Sequence, residues 1–268
     1  MFKLEDLISL ALEAGRDINA VRAGGVDPQT KLDGSIVTLA DKSAEAIIEA
    51  GLKRLAPDIP MIGEESCAEG RIPACGARWF CVDPLDGTKG FASGGDHFTV
   101  NIALIEHGAP TFGVVYAPAT GQLFAGEPHR ALHGECDPAT ATLRAPLEPI
   151  QTSSPANQWR IIASENSGRS ARTRAFIERL NGVSTHTSSS IKFCTIAAGE
   201  ADIYPRFGEV SEWDVAAGHA ILLAVGGAVM RLDGSPLLYG DRESNFIVKG
   251  FIAYSNEAAK QAALSALA

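Results

Sequence analysis

From Arg160 onward, short apolar runs alternate with stretches of helical spacing, and this alternation constrains the fold more than any other feature of the chain. Arg160 to Ala163, Ala201 to Tyr204, Ala228 to Leu232 and Phe246 to Tyr254 have the composition of strands. Ser170 to Leu180, Ile191 to Ala198, Trp213 to Val225 and Glu257 to Leu267 are predicted helices. Such a chain builds sheet covered by helices, an α/β (α+β) fold. The first half opens with two amphipathic helices. Leu4, Leu7, Ile8, Ala11, Ala14 and Ile18 share one face of the first; Ala44, Ile47, Ile48, Gly51, Leu52 and Leu55 share a face of the second. The second starts near Asp41 and stops at Pro57. Gly24 to Gly34, between them, reads as loop or hairpin arm. Strands follow at Trp79 to Val82 and at Gln122 to Ala125, with a hairpin between them that pairs Phe98–Ile105 and Thr111–Tyr116 about Glu106-His107-Gly108. Pro and Thr become frequent between Cys136 and Pro155, which divides the chain into halves at 1–150 and 151–268.

The 268 residues are 46% hydrophobic and can bury a sizeable core. With 23 basic and 32 acidic residues the net charge is −9, which argues against a partner that is a nucleic-acid polymer. A small anion stays compatible, because bound cations reverse local charge. The five cysteines include no CxxC pair and read as thiols in a reducing cytosol. No signal peptide and no transmembrane segment are expected.

The chemistry concentrates in Asp83-Pro84-Leu85-Asp86-Gly87-Thr88, just after a buried strand. Pro84 fixes one φ and removes an N–H, while Gly87 permits a sharp turn. Two carboxylates in such a turn can converge on one point, and Mg²⁺ takes oxygen ligands of this kind. The bland alternative is an ordinary Asp-Gly turn. Enzymes that pass phosphate through an aspartate carry D-x-D-G-T, with acids two apart. Here the acids are three apart, so covalent catalysis by Asp83 is not expected. Gly63-Glu64-Glu65-Ser66 places adjacent acids that repel unless a cation lies between them; a solvated loop is the alternative. Asp214 opens a helix and can be an N-cap, a ligand or both, while Asp41 also stands where its helix begins and reads there as an N-cap. Lys31-Leu32-Asp33-Gly34-Ser35 can be a polar turn. The six histidines show no metal-ligand spacing.

Four motifs in order give the chain a resemblance to a known superfamily. They are Asp33-Gly34-Ser35-Ile36-Val37-Thr38-Leu39-Ala40-Asp41, Gly63-Glu64-Glu65, Trp79 to Thr88, and Trp213-Asp214-Val215-Ala216-Ala217-Gly218. Together they make the chain, over nearly its whole length, resemble the inositol monophosphatase superfamily of metal-dependent, lithium-sensitive phosphatases. Ile36 stands where that superfamily usually has proline. Asp86 to Phe91, Phe98 to Ile105, Gly113 to Pro118, Ser188 to Cys194 and Tyr204-Pro205-Arg206 look most like its 3′(2′),5′-bisphosphate nucleotidases, in particular the bacterial type acting in sulfate assimilation.

The resemblance implies a layered α-β-α-β-α sandwich with the site between the halves. It implies two or three Mg²⁺ ions on Glu64, Asp83, the Leu85 carbonyl, Asp86 and Asp214, with Glu65 a helper at a weaker third ion. Thr88 and Asp41 would orient and deprotonate water. Backbone N–H groups of Gly87 and Thr88 would hold phosphate oxygens, and Ser189, Lys192, Arg206 and Asp214 would contact the nucleotide. The first half thus carries most metal ligands, and the second carries the substrate contacts and Asp214. The implied reaction removes the 3′-phosphate of adenosine 3′,5′-bisphosphate, with its sulfated precursor as a further substrate. An inositol or sugar phosphatase is the alternative, and a non-catalytic nucleotide or metal sensor a remote one. The implied partner is a small nucleotide, with a homodimer left open. The implied location is the cytoplasm, with a peripheral hold on the inner face of the cell membrane left open.

Overall fold

Helices α1 (Leu4–Gly24) and α2 (Leu39–Leu55) bury the two apolar faces read from the sequence. The structure is a computed structural model that describes residues 2–31, 34–153, 157–164, 168 and 170–268. Asp33, in the first motif, and Pro155, at the end of the Pro/Thr tract, lie outside the described residues. Between the helices, β1 (Gln29–Thr30) pairs antiparallel with β2 (Ile36–Val37), so the hairpin reading of this segment holds. Thr38, not Asp41, is the N-cap of α2, and its side chain accepts from the Ala40 N–H. Asp41 is the third helical residue and completes a capping box with Thr38.

The first sheet is built from β3 (Met61–Gly63), β4 (Arg78–Asp86), β5 (Thr99–Glu106), β6 (Ala109–Ala117), β7 (Gln122–Glu127), β8 (Arg130–Asp137), β9 (Thr142–Leu143) and β10 (Glu148–Pro149). Its order is β10-β8-β7-β6-β5-β4-β3, with β9 beside β8, and only β3 and β4 run parallel. Two short helices, α3 (Glu64–Ala68) and α4 (Thr88–Ala92), leave the ends of β3 and β4.

The second half contributes β11 (Arg160–Ala163), α5 (Ala171–Arg179), β12 (Val183–His186), α6 (Ile191–Ala197), β13 (Ile203–Arg206) and β14 (Val210–Ser211), then α7 (Ala216–Ala224), β15 (Ala228–Arg231), β16 (Ile247–Val248), β17 (Phe251–Tyr254) and α8 (Glu257–Leu267). Its sheet has the order β12-β11-β13-β17-β15, while β14 and β16 pair separately.

Strand alternation sorts these elements into five layers. Along β4, Phe80 and Val82 join the core under α1 and α2. Trp79 and Cys81, on the opposite face, join Phe193 of α6 and Ala217 and Ile221 of α7. That same middle core takes Ile162, Tyr204 and Phe251 from the second sheet. Ile161, Ile203 and Ile252 face outward onto Phe176 of α5 and Ala259 and Ala263 of α8. The layers therefore run α1/α2, sheet, α6/α7, sheet, α5/α8, the α-β-α-β-α sandwich expected.

Several elements depart from the sequence reading. Phe246 to Tyr254 is two strands, because β16 pairs with β14 whereas β17 lies between β13 and β15. Trp213 to Val225 is not one helix: a 3-10 turn at Glu212–Asp214 precedes α7, so Asp214 is not its N-cap. The strand expected at Ala201 to Tyr204 lies at Ile203–Arg206. β8 and β12 were not anticipated; β12 is exposed along its whole length and has no apolar pattern to find. Among the described residues no helix is long and apolar enough to cross a membrane.

Candidate active site

The site is centred on an irregularity in β4. In a straight strand, residues three apart point to opposite faces. Here Asp83 lies opposite Asn101 and Asp86 opposite Thr99 on β5, so β4 carries one extra residue over that interval. Pro84, with no N–H for the ladder, falls within it. The bulge turns Asp86 back toward Asp83. The Leu85 N–H donates to Asp83 Oδ1 at 2.9 Å and fixes that carboxylate. Gly87 then takes φ 99°, and a Cβ there would sit 2.9 Å from the His97 carbonyl oxygen, so glycine is required where the chain turns into α4.

The 3-10 turn after β14 brings Asp214 to the same place. Oxygens of Asp83, Asp86 and Asp214 lie within 4.8 Å of one another. Asp214 Oδ2 also accepts from the Ser211 N–H at 2.8 Å, so the carboxylate is held by its own turn. Burial, then the charges of Glu64, Asp86 and Asp214, push Asp83 well above the usual carboxylate range. Burial raises Asp86 as well, against the pull of Lys192. Burial, with Asp86 and Glu64, takes Asp214 to about 7. Asp83 is buried and Asp86 and Asp214 are half-buried, and three carboxylates at this separation repel one another unless a cation neutralises them. Their donors are all hard oxygens, so they fit a hard divalent cation and not a soft metal.

Glu64 and Glu65 begin α3 and are bound by Lys31, whose Nζ lies 2.8 Å from Glu64 Oε1 and 2.6 Å from Glu65 Oε1. Burial opposes the lysine's charge, but the two carboxylates outweigh it and raise its pKa. Burial raises Glu64 in spite of Lys31, because Asp41 and Asp86 add negative charge, and takes Glu65 to about 7. The structure thus gathers Asp83, Asp86 and Asp214 directly and leaves Glu64 and Glu65 engaged by an ammonium.

Asp41 reaches the site from α2. Its Oδ2 accepts from the Thr38 N–H and hydroxyl, both at 2.7 Å, which leaves Oδ1 for the Thr88 hydroxyl at 2.8 Å. Thr88 Oγ1 also lies 2.9 Å from the Leu85 carbonyl oxygen, so the expected carbonyl ligand and the expected dyad adjoin.

Beside the carboxylates opens a cavity of about 370 Å³ whose walls include Asp86, Ser189, Lys192, Tyr204, Arg206 and Asp214. Gly87 and Thr88 are not among its walls and belong to the α4 side. Lys192 is buried, donates to the Ser189 carbonyl and lies 5.2 Å from the Tyr204 ring centre. Burial lowers its pKa to about 8. Arg206 Nη2 donates to the Glu209 carbonyl at 3.2 Å. Arg206 Nε and Ser189 Oγ are buried without a hydrogen-bond partner among the described residues. Sequence reasoning missed Ser190 and Asn101. Ser190 Oγ lies 3.2 Å from Asp86 Oδ2 and 3.0 Å from the Asp214 carbonyl, and accepts from Asn101 Nδ2 at 2.9 Å. Nothing in the triple serine marks the third one as the bridging residue. Lys31, in a segment whose composition suggests only a polar turn, is the ammonium that binds Glu64 and Glu65.

Known proteins match the chain over nearly its whole length. The inositol monophosphatase family matches residues 4–267, and the chain belongs to that family. It is 39% identical over 251 residues to the 3′(2′),5′-bisphosphate nucleotidase CysQ of Shigella flexneri, covering 92% of this chain and 98% of that protein. The crystal structure of CysQ from Bacteroides thetaiotaomicron, a bacterial member of the inositol monophosphatase family, superposes with a TM-score of 0.77 at 30% identity, over 95% of this chain and 97% of that one. The Thermotoga maritima inositol monophosphatase shares the fold, with a TM-score of 0.75 at 23% identity over 99% and 97% of the two chains.

Proposed function

We propose that the chain is a Mg²⁺-dependent phosphatase that removes the 3′-phosphate of adenosine 3′,5′-bisphosphate, and of its sulfated precursor, to leave the 5′-substituted nucleotide and phosphate. The observation that carries this reading is one cavity whose walls bring Asp86 and Asp214 of the carboxylate cluster together with Lys192 and Arg206. Asp83, Asp86, Asp214 and the Leu85 carbonyl would hold two or three ions, with Glu64 and Glu65 joining once Lys31 gives them up. A divalent ion held there supplies positive charge against the phosphate oxygens and makes water easier to deprotonate.

The chain's own residues supply the rest. Thr88 donates its hydrogen to Asp41 and so presents a lone pair to a water. As that water attacks phosphorus, its proton passes to Thr88 while the threonine proton moves to Asp41. A hydroxyl alone is too weak a base, so the carboxylate is needed. The bond from phosphorus to the 3′-oxygen breaks, and that oxygen is reprotonated from solvent. The N–H groups of Gly87 and Thr88 would hold oxygens of the phosphate being cut. Arg206, with an unpaired Nε in the cavity wall, and Lys192 would take the phosphate that is not cut. Ser189, with an unpaired hydroxyl there, would contact the nucleoside.

The test is phosphate release with Mg²⁺ from adenosine 3′,5′-bisphosphate and from inositol phosphate. The expected preference for the nucleotide is more than about tenfold, the worth of one charged hydrogen bond. Equal rates would move the reading to an inositol or sugar phosphatase, and no release from either would leave a binding protein.

A further inference from the structure

Helix α2 carries a second buried acid that the reaction does not use. Glu45 lies one turn after Asp41 and is 3% exposed. Its Oε2 accepts from the Glu65 N–H at 2.8 Å, and its Oε1 accepts from the Ser66 N–H at 2.7 Å and from the Ser66 hydroxyl. Three donors at the start of α3 therefore converge on one carboxylate. Gly63 makes room for it: a Cβ there would lie 2.6 Å from Glu45 Oε2 and 2.7 Å from Glu45 Cδ. The motif Gly63-Glu64-Glu65-Ser66 thus reads as a seat for Glu45 at its first and last residues and a presentation of two acids between them.

We infer that Glu45 is a positioning residue for the metal site, holding the backbone of α3 so that Glu64 and Glu65 face the carboxylates of β4. The inference rests on the metal reading above. One helix then sets two parts of the site, since Asp41 orients Thr88 and Glu45, one turn on, orients the acids of α3. Only a carboxylate fills this place. A carboxamide would turn one N–H₂ toward the Glu65 or Ser66 N–H and lose an acceptor. A structural cap alone would hold α3 without reference to any ion, so ion binding separates the two roles.

The experiment uses Mg²⁺ alone as the probe and follows the Mg²⁺ concentration that gives half of its thermal stabilisation of the intact protein. Glu45→Gln is expected to raise that concentration about tenfold or more, as removal of an outer partner of a metal ligand does. At saturating Mg²⁺ the KM for substrate should stay within about twofold of wild type, because Glu45 touches no substrate. An unchanged Mg²⁺ midpoint with only a lower melting temperature would overturn the inference and leave Glu45 a helix cap. If Glu45→Gln does not fold, Ser66→Ala removes one of the three donors and should shift the midpoint by about twofold to tenfold, the range of one hydrogen bond; no shift there also overturns it. Absence of any Mg²⁺ stabilisation in the wild-type protein would instead remove the metal reading itself, and this inference with it.

Discussion

Thr88 Oγ1 donates to Asp41 Oδ1 across 2.8 Å and joins the first turn of α4 to the first turn of α2. If this pair takes the proton of the attacking water, Asp41→Asn removes the base while its amide oxygen can still accept from the Thr38 N–H. We expect kcat to fall by about 10² to 10⁴ with little change in KM, the usual worth of a general base. Steady-state kinetics on adenosine 3′,5′-bisphosphate would read it. A kcat within about tenfold of wild type would remove Asp41 from the proton path.

Asp83→Asn should have opposite effects on stability and on activity. Burial first, and then the charges of Glu64, Asp86 and Asp214, push the Asp83 pKa well up, so its charge destabilises the metal-free protein. The neutral amide is the same size and relieves that repulsion. In EDTA the variant should melt above wild type; with Mg²⁺ it should gain less than wild type, and turnover should be lost. Normal turnover would mean that Asp83 is only a turn residue.

The layers and the cluster were legible in the sequence for a physical reason. A half-buried helix needs apolar residues at a period of 3.6, and a strand covered on both faces needs an unbroken apolar run; α1 and α2 have the first and β4 the second. The Asp83–Thr88 hexapeptide combined two acids, a proline and a glycine in an order that a plain turn does not need. What the sequence concealed was how the residues are held. Asp41 and Asp214 looked like N-caps because each precedes an apolar helical stretch, yet Thr38 caps α2 and a 3-10 turn intervenes before α7. Both acids close a capping box three residues after its cap, Asp41 after Thr38 and Asp214 after Ser211, a place that resembles a cap when the helix start is set a turn too late. Ser190 and Glu45 act across 89 and 21 residues of chain, on Asn101 and Ser66, and spacing along one strand or helix carries no signal of that.

A separate prediction concerns acid stability. His219 is buried, accepts from the Val229 N–H at Nε2 (3.2 Å), and therefore has its hydrogen on Nδ1, 2.9 Å from the Tyr239 oxygen. Burial lowers its pKa from 6.5 to about 3. Above about pH 6.5 both folded and unfolded imidazoles are neutral, and His219 makes no pH-dependent contribution. Below it the unfolded chain takes a proton that the folded one refuses, so stability falls as pH drops from 6.5 toward 3. The slope is at most about 1.4 kcal/mol per pH unit. Urea unfolding of His219→Gln between about pH 4 and pH 6 should show a shallower decline than wild type. Parallel declines would show that His219 does not contribute.

Substrate choice should be read most directly at Arg206. If the 3′-phosphate is the one held at the carboxylate cluster, the 5′-phosphate needs a separate cation, and the cavity wall offers Lys192 and Arg206. Burial lowers the Lys192 pKa to about 8, so its charge is the less secure of the two. Arg206 offers a planar guanidinium whose buried Nε has no hydrogen-bond partner among the described residues. Arg206→Ala should therefore raise KM for adenosine 3′,5′-bisphosphate by about tenfold or more, at about 1.5–3 kcal/mol for a charged hydrogen bond. For 3′-AMP, which lacks the contacted group, the loss should be much smaller. Arg206→Lys keeps a charge but not the planar fork and should fall between the two. The measurement is the ratio of kcat/KM values for the two substrates in each protein. An equal loss on both would place Arg206 at the phosphate being cut, or in the fold, and would leave the preference for a bisphosphate without its main support.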